Sequence, residues 1–264
     1  MSAYEFMEVA PGIFQISESG LAMQYLVTGR DRALLVDTGT GIGNLRGEVE
    51  RRISVPYDVV ITHVHRDHFG GAGAFDRVHV PKGDLDAISG IDAEGRRGYV
   101  VSMVSSGSVS PDVLEKAVIR QWNDDPQRFI PVDAGHVFDL GDRRFEVIPM
   151  PGHTAGEICL LDRAGDVLIS GDSANPIMLL KMKEDDRIEV CRRWHDALGG
   201  LLRLLDDDTV ICGGHGLLDI DVFERLYAIA GEYLEGRRNA VVKKVHLYTG
   251  RFLDDGDIVI GLDA

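Results

Sequence analysis

Four side chains of metal-binding type fall within six consecutive positions of this chain: His63, His65, Asp67 and His68, in the segment THVHRDH at 62–68. Imidazoles and carboxylates are the ligands that borderline divalent cations prefer. Alternate residues of an extended segment point the same way, so His63 and His65 can face one ion. Asp67 and His68 lie past the strand-like run YDVVITH (57–63), on a turn, and can face a second. Three further residues of the same chemistry each follow an apolar run and abut glycine: His153 in MPGHTAG, Asp172 at the end of DVLISGD, and His215 after TVICGG. Strand ends and loops are where a scaffold presents side chains to a site. Singly, each reads as a cap or turn residue. Jointly, in this order after the histidine loop, they are more than that.

These residues need elements to carry them. Short β-type runs come first, at GIFQIS (12–17), MQYLVT (23–28) and RALLVDTG (32–39), followed by a helical stretch at 44–53, the strand at 57–63 and RVHV at 77–80. Residues 84–130 differ in character and read as a helical insertion or lid. In it Ser110 caps, Pro111 opens a helix, and Leu114, Ala117, Val118 and Trp122 share a face. Strands return at FEVIPM (145–150), EICLLD (157–162), DVLISGD (166–172) and TVICGG (209–214). In 187–205, Ile188, Cys191, His195, Leu198, Leu202 and Leu205 recur at helical spacing. In 219–235, Phe223, Leu226, Tyr227, Ala230, Tyr233 and Leu234 do so. KKVHLY and DIVIGL close the chain as an expected hairpin. Apolar strands require cover, amphipathic helices supply it, and the early strands lack intervening helices. The pattern therefore favours a layered α/β (α+β) sandwich, one domain over 1–264, above a Rossmann fold.

The 264 residues carry 28 Lys and Arg against 43 Asp and Glu, a net charge of −15. Such a surface repels phosphate backbones and anionic membranes, which argues against nucleic-acid and membrane partners. The opening MSAYEFMEVAPGIF lacks a basic region followed by an apolar core, so no signal peptide is expected. Cys159, Cys191 and Cys212 are odd in number and widely spaced, and read as core thiols in a reducing cytoplasm. GTGIG at 39–43 reads as a turn rather than a dinucleotide loop. His79, His136, His195 and His246 match no ligand position, and His195 reads as a core residue. The run 177–183 packs on the core or walls a pocket. Tyr99, Met103 and Trp122 are lid candidates with the same alternative.

HVHRDH, PGHT, SGD and GGH in this order, with LLVDTG at 34–39 before them, resemble the metallo-β-lactamase superfamily, across roughly Gly12 to Gly216. The resemblance implies a four-layer αββα sandwich with the site at one edge. It implies that His63, His65 and His153 hold one divalent cation. Asp67, His68 and His215 would hold a second, and Asp172 would bridge both. Asp37 would orient a ligand imidazole from behind. Two zinc ions are expected first, and the N/O ligand set also accepts manganese or iron. The activity implied is a dinuclear hydrolase of small molecules. A hydroxide between the metals would attack an ester, thioester or lactone carbonyl, and Asp67 or a metal-bound water would pass the proton. An iron-dependent dioxygenase acting on a sulfur substrate and a phosphodiesterase are the alternatives on the same fold. Departures narrow the choice. Asp172 is not the residue true β-lactamases use there, GDSANPIM and GGHGLLD differ from the glyoxalase II pattern, and Asn175 stands where lactonases often have tyrosine.

Overall fold

Strands that are apolar on both faces must be covered on both sides. In the computed structural model this is achieved by two facing sheets with helices outside them. The structure describes residues 3–116, 126–180 and 187–263. β1 (Tyr4–Ala10), β2 (Ile13–Glu18), β3 (Met23–Thr28) and β4 (Ala33–Val36) form an antiparallel meander. Helix α1 (Leu45–Glu50), capped by the Asn44 side chain, leads to β5 (Tyr57–Val60). The single turn α2 (Arg66–Phe69) leads on to β6 (Val78–Pro81). The insertion holds a 3-10 stretch (Lys82–Gly90), α3 (Ala93–Ser105) and α4 (Val113–Lys116), and ends in β7 (Phe129–Val132). Strands β4 to β7 run parallel, completing a seven-stranded sheet in sequence order.

The second sheet begins with β8 (Val137–Asp139), β9 (Arg144–Pro149), β10 (Ile158–Asp162) and β11 (Val167–Gly171), all antiparallel. After β12 (Ile177–Leu179) and α5 (Arg187–Leu202), β13 (Val210–Gly213) pairs parallel with β11, and β14 (Gly216–Leu218) closes that edge. Helix α6 (Ile220–Leu234) precedes β15 (Val241–Val245), β16 (Tyr248–Asp255) and β17 (Ile258–Gly261). These three join β12 in a separate four-stranded sheet.

Period-2 alternation sorts the side chains into layers. Tyr25, Val27, Leu34, Val36 and Val60 meet Val147, Leu160, Val167, Ile169 and Cys212 between the two large sheets. Their neighbours Leu26, Leu35 and Ile61 turn outward to Leu45, Val49 and Phe69 of α1 and α2. Cys159, Leu161 and Leu168 turn outward to Trp194, Leu198, Phe223 and Leu226 of α5 and α6. All three cysteines are buried and unpaired. No helix among the described residues is long and apolar enough to cross a membrane.

Several local expectations need correction. The buried face of α5 is Val190, Cys191, Trp194, Leu198 and Leu201, and Ile188 is exposed. Trp194 decides the rotation. Its indole donates to the Ser173 carbonyl at 2.8 Å and its ring lies where a side chain at Gly152 would stand. His195 is therefore not in the core. It stacks on Tyr227 at 4.1 Å between the helices. KKVHLY is not one strand, because it contains the β15–β16 turn, with His246 at φ +51. DIVIGL pairs with β16 and, in parallel, with β12, so the 177–183 run begins as a strand. The expected helix after Ser110 is described for Val113–Lys116. Ala117, Val118 and Trp122, like Lys181, Met182 and Lys183, lie outside the described residues.

Candidate metal centre

In parallel α/β sheets ligands collect beyond the carboxyl ends of the strands. Here Asp37 follows β4, the 62–68 loop follows β5, Asp172 follows β11 and His215 follows β13, all at one edge of the paired sheets. His153 follows β9 by a short turn. The structure brings all seven candidate ligands together. The donor atoms of His63, His65 and His153 lie within 4.8 Å of one another, as do those of Asp67, His68 and His215. His63, His68 and Asp172 form a third such group between these two.

Asp172 Oδ2 is 3.2 Å from His215 Nε2 and 3.6 Å from His153 Nε2, while Oδ1 is 3.6 Å from His68 Nε2. Bonds of about 2.1 Å at tetrahedral angles put donors about 3.4 Å apart. The two 3.6 Å spacings therefore match ligands converging on an ion, while His215 and Asp172 are also close enough to hydrogen-bond each other. Two positions must be glycine for the approach. A Cβ at Gly214 would stand 2.2 Å from Asp172 Oδ1. One at Gly171 (φ +53) would stand 2.6 Å from Thr62 Oγ1.

The imidazoles are aimed from behind. His68 Nδ1 donates to Asp37 Oδ2 at 2.8 Å, and His153 Nδ1 to the Leu179 carbonyl at 2.8 Å. The Thr62 hydroxyl donates to Asp37, which leaves its oxygen to accept from His63 Nδ1 at 3.1 Å. In each case Nε2 is the atom presented to the site. His63 Nε2, His68 Nε2 and Asp172 Oδ1 are buried with no hydrogen-bond partner. Buried polar atoms without partners are costly, and this donor set is chemically suited to meeting that cost by holding cations. Asp37 sits at φ +63, a strained setting for a non-glycine residue, and accepts both the amide and the hydroxyl of Thr62.

Sequence reasoning missed three residues. Asp84, in the insertion, is buried and accepts from the Val64 amide (3.0 Å), the Thr154 hydroxyl (2.7 Å) and the Gly156 amide (2.7 Å). It thereby ties the loop of His63 and His65 to that of His153. Glu157, also buried, accepts from the Asp172 amide at 2.9 Å and lies 3.6 Å from His63 Nδ1. Burial, with the charges of Asp172 and Asp84, pushes its carboxyl well above the usual range. Buried Glu18 receives the amides of Thr40, Gly41 and Ile42, fixing the loop that follows Asp37. The one sequence signal was a charged residue heading the apolar run Ile158 to Leu161 at Glu157. Tyr99, a lid candidate, donates to Asp67 Oδ2 at 2.7 Å. Burial and the Asp67 charge keep its phenol protonated.

Without metal the histidines divide electrostatically. Burial, then His68 and His65, hold His63 well below its usual range. Burial and His153 bring His65 down to about 3. Both are neutral and ready to ligate near pH 7. Desolvation opposes the charged forms of His68 and His215, but Asp172 and Asp67 outweigh it and raise both. A cation at Asp67, His68 and His215 would therefore have to displace protons that one at His63 and His65 would not. Lowering the pH adds competing protons. Between pH 8 and 6 affinity at Asp67, His68 and His215 should fall by roughly tenfold per unit for each proton displaced. His63 and His65, held neutral, release no proton in this range, so proton release at their group should be the smaller. Calorimetric titration in two buffers of different ionisation enthalpy checks this, and equal proton release for both ions would contradict it.

Residues 20–215 match the metallo-beta-lactamase superfamily. The chain belongs to that superfamily. Among its curated relatives, acyl-coenzyme A thioesterase MBLAC2 of Bos taurus is 30% identical over 276 aligned positions, covering 95% of this chain and 93% of that protein. The Gallus gallus protein of the same name is 30% identical, covering 89% and 88%. Among solved structures, a beta-lactamase domain protein from Burkholderia ambifaria superposes with a TM-score of 0.62 at 20% identity, covering 88% of this chain and 74% of that one. A metallo-beta-lactamase family protein from Thermus thermophilus gives 0.57 at 21%, covering 87% and 82%. The layered architecture is thus that of the metallo-beta-lactamase superfamily, and the chain is a hydrolase within it.

Proposed function

We propose that this chain hydrolyses acyl-coenzyme A thioesters with two divalent cations, zinc in the first instance. The observation that carries the reading is the likeness to acyl-coenzyme A thioesterases over nearly the full length of both chains. The donor chemistry of the site supports it. His63, His65 and His153 would hold one cation, and Asp67, His68 and His215 the other, with Asp172 facing both. Bound there, the cations supply Lewis acidity to the thioester carbonyl and lower the pKa of a water toward about 7.

The protein's own part is positional. Asp37, Thr62 and the Leu179 carbonyl fix the imidazole tautomers, and Asp84 holds the two ligand loops in register. Asp67, nearly buried, is the carboxylate that takes the proton of the attacking water. A thiol with a pKa of about 8.5 leaves as thiolate without a dedicated acid, so the reading asks none of the chain. The buried, unpaired cysteines suit a reducing cytoplasm.

The test is thiol release from acyl-coenzyme A by metal-free and zinc-loaded protein. A lactone, a β-lactam, bis(p-nitrophenyl) phosphate, and a persulfide with oxygen uptake recorded should run in parallel. Zinc-dependent cleavage of the thioester above all others is expected. Faster phosphodiester cleavage, or oxygen uptake with one iron per chain, would overturn it.

A further inference from the structure

Helix α2 is a single turn, yet it carries both Asp67 and His68. A helix this short does not hold itself together in water, so its geometry is imposed from outside. Thr38 supplies one restraint, its amide and hydroxyl both donating to the His68 carbonyl at 2.7 and 2.9 Å. The others come from α3 in the insertion. Arg96, 2% exposed, donates to the Gly70 carbonyl that ends α2 (2.8 Å) and to the Thr40 carbonyl (3.2 Å). A cation at the carboxyl end of a helix also complements its dipole. Tyr99, three residues on and on the same face, donates to Asp67 Oδ2.

That oxygen is the one aimed into the second group, 3.7 Å from His215 Nε2 and 3.9 Å from His68 Nε2. A carboxylate oxygen has two lone pairs, so Oδ2 can accept the phenol on one and offer the other to a cation. The insertion thus grips the metal-bearing turn at both ends. We propose that α3 sets the affinity of the Asp67, His68 and His215 group for its cation, with Tyr99 the positioning residue for Asp67. The inference rests on the two-cation reading above and goes beyond it. It makes the insertion a determinant of how many ions the enzyme holds, not merely a cover.

The experiment is a zinc titration of metal-free wild type and Tyr99→Phe, which keeps the ring and removes one hydroxyl. Wild type should take two ions. The variant should melt like metal-free wild type and bind the first ion with unchanged affinity. It should bind the second about 10–100-fold more weakly. Its thioesterase turnover should be low at limiting zinc and return as zinc is raised to refill the site. Unchanged second-ion affinity would overturn the proposal. So would low turnover persisting at full occupancy, which would place Tyr99 on the reacting atoms instead. A wild type that binds fewer than two ions defeats the two-cation reading and this inference with it. The wild-type titration alone shows that failure.

Discussion

Asp172→Asn should lower thioesterase turnover by roughly 10³-fold or more, about 4 kcal/mol of barrier, while leaving the fold intact. The carboxylate reaches toward both groups, Oδ2 to His215 and His153, and buried Oδ1 to His68. Asparagine has the same shape, which matters because the space beside Oδ1 admits no larger group. Its amide nitrogen carries no lone pair for a cation, so one of the two groups loses its shared donor. It also removes the negative charge that lets two dications sit close together. Elemental analysis should show fewer than two ions per chain, with a melting temperature for the metal-free variant near that of metal-free wild type. Two tightly held ions and turnover within tenfold of wild type would refute the assignment of Asp172.

Asp84→Ala should destabilise the protein by about 3–5 kcal/mol and weaken the His63, His65 and His153 group by about 10–100-fold. Removal of this carboxylate strands the buried amide of Val64, the half-buried amide of Gly156 and the Thr154 hydroxyl. Each unmet donor costs about 1–3 kcal/mol, though the hydroxyl can turn elsewhere. Against a total of about 5–15 kcal/mol, such a loss is severe. The binding effect follows from position. Val64 lies between two ligands and Thr154 beside a third, so the loops lose their common anchor. Urea denaturation and zinc titration, both of the metal-free proteins, measure the two effects separately. A loss below about 1 kcal/mol would show that the clamp is replaceable.

The difference between Asp172 and Asp84 explains what could be read from the sequence. The candidate ligands that the fold brings together could be picked out because their chemistry is local. Four sit in one loop and each of the others ends an apolar run beside a glycine. Asp37 was readable for the same reason, at the end of its strand. Asp84 was not, because its partners lie 20 to 72 residues away and its own neighbourhood reads as a charged surface loop. Glu157 and the Tyr99 bond to Asp67 are likewise products of topology. In the fold, short apolar runs such as MQYLVT were readable as strands, whereas β1, β7 and β8 went unseen and the third sheet was read as a lone hairpin. The missed α5 face has a similar cause. Ile188 and Trp194 both suit a buried stripe, and the contact with Gly152 selects Trp194.

The seven donors are divided four to three between the halves of the chain, His63, His65, Asp67 and His68 on one and His153, Asp172 and His215 on the other. Neither half owns a complete cage. The alignment of one slab on the other is set by packing between the sheets, such as Val27 and Leu34 with Phe145 and Leu160. Ion uptake is thus a gauge of how the slabs are seated. Trimming a methylene from that greasy seam, far from any ligand, shifts the bite of the cage, and a loaded cage in turn rivets the seam shut.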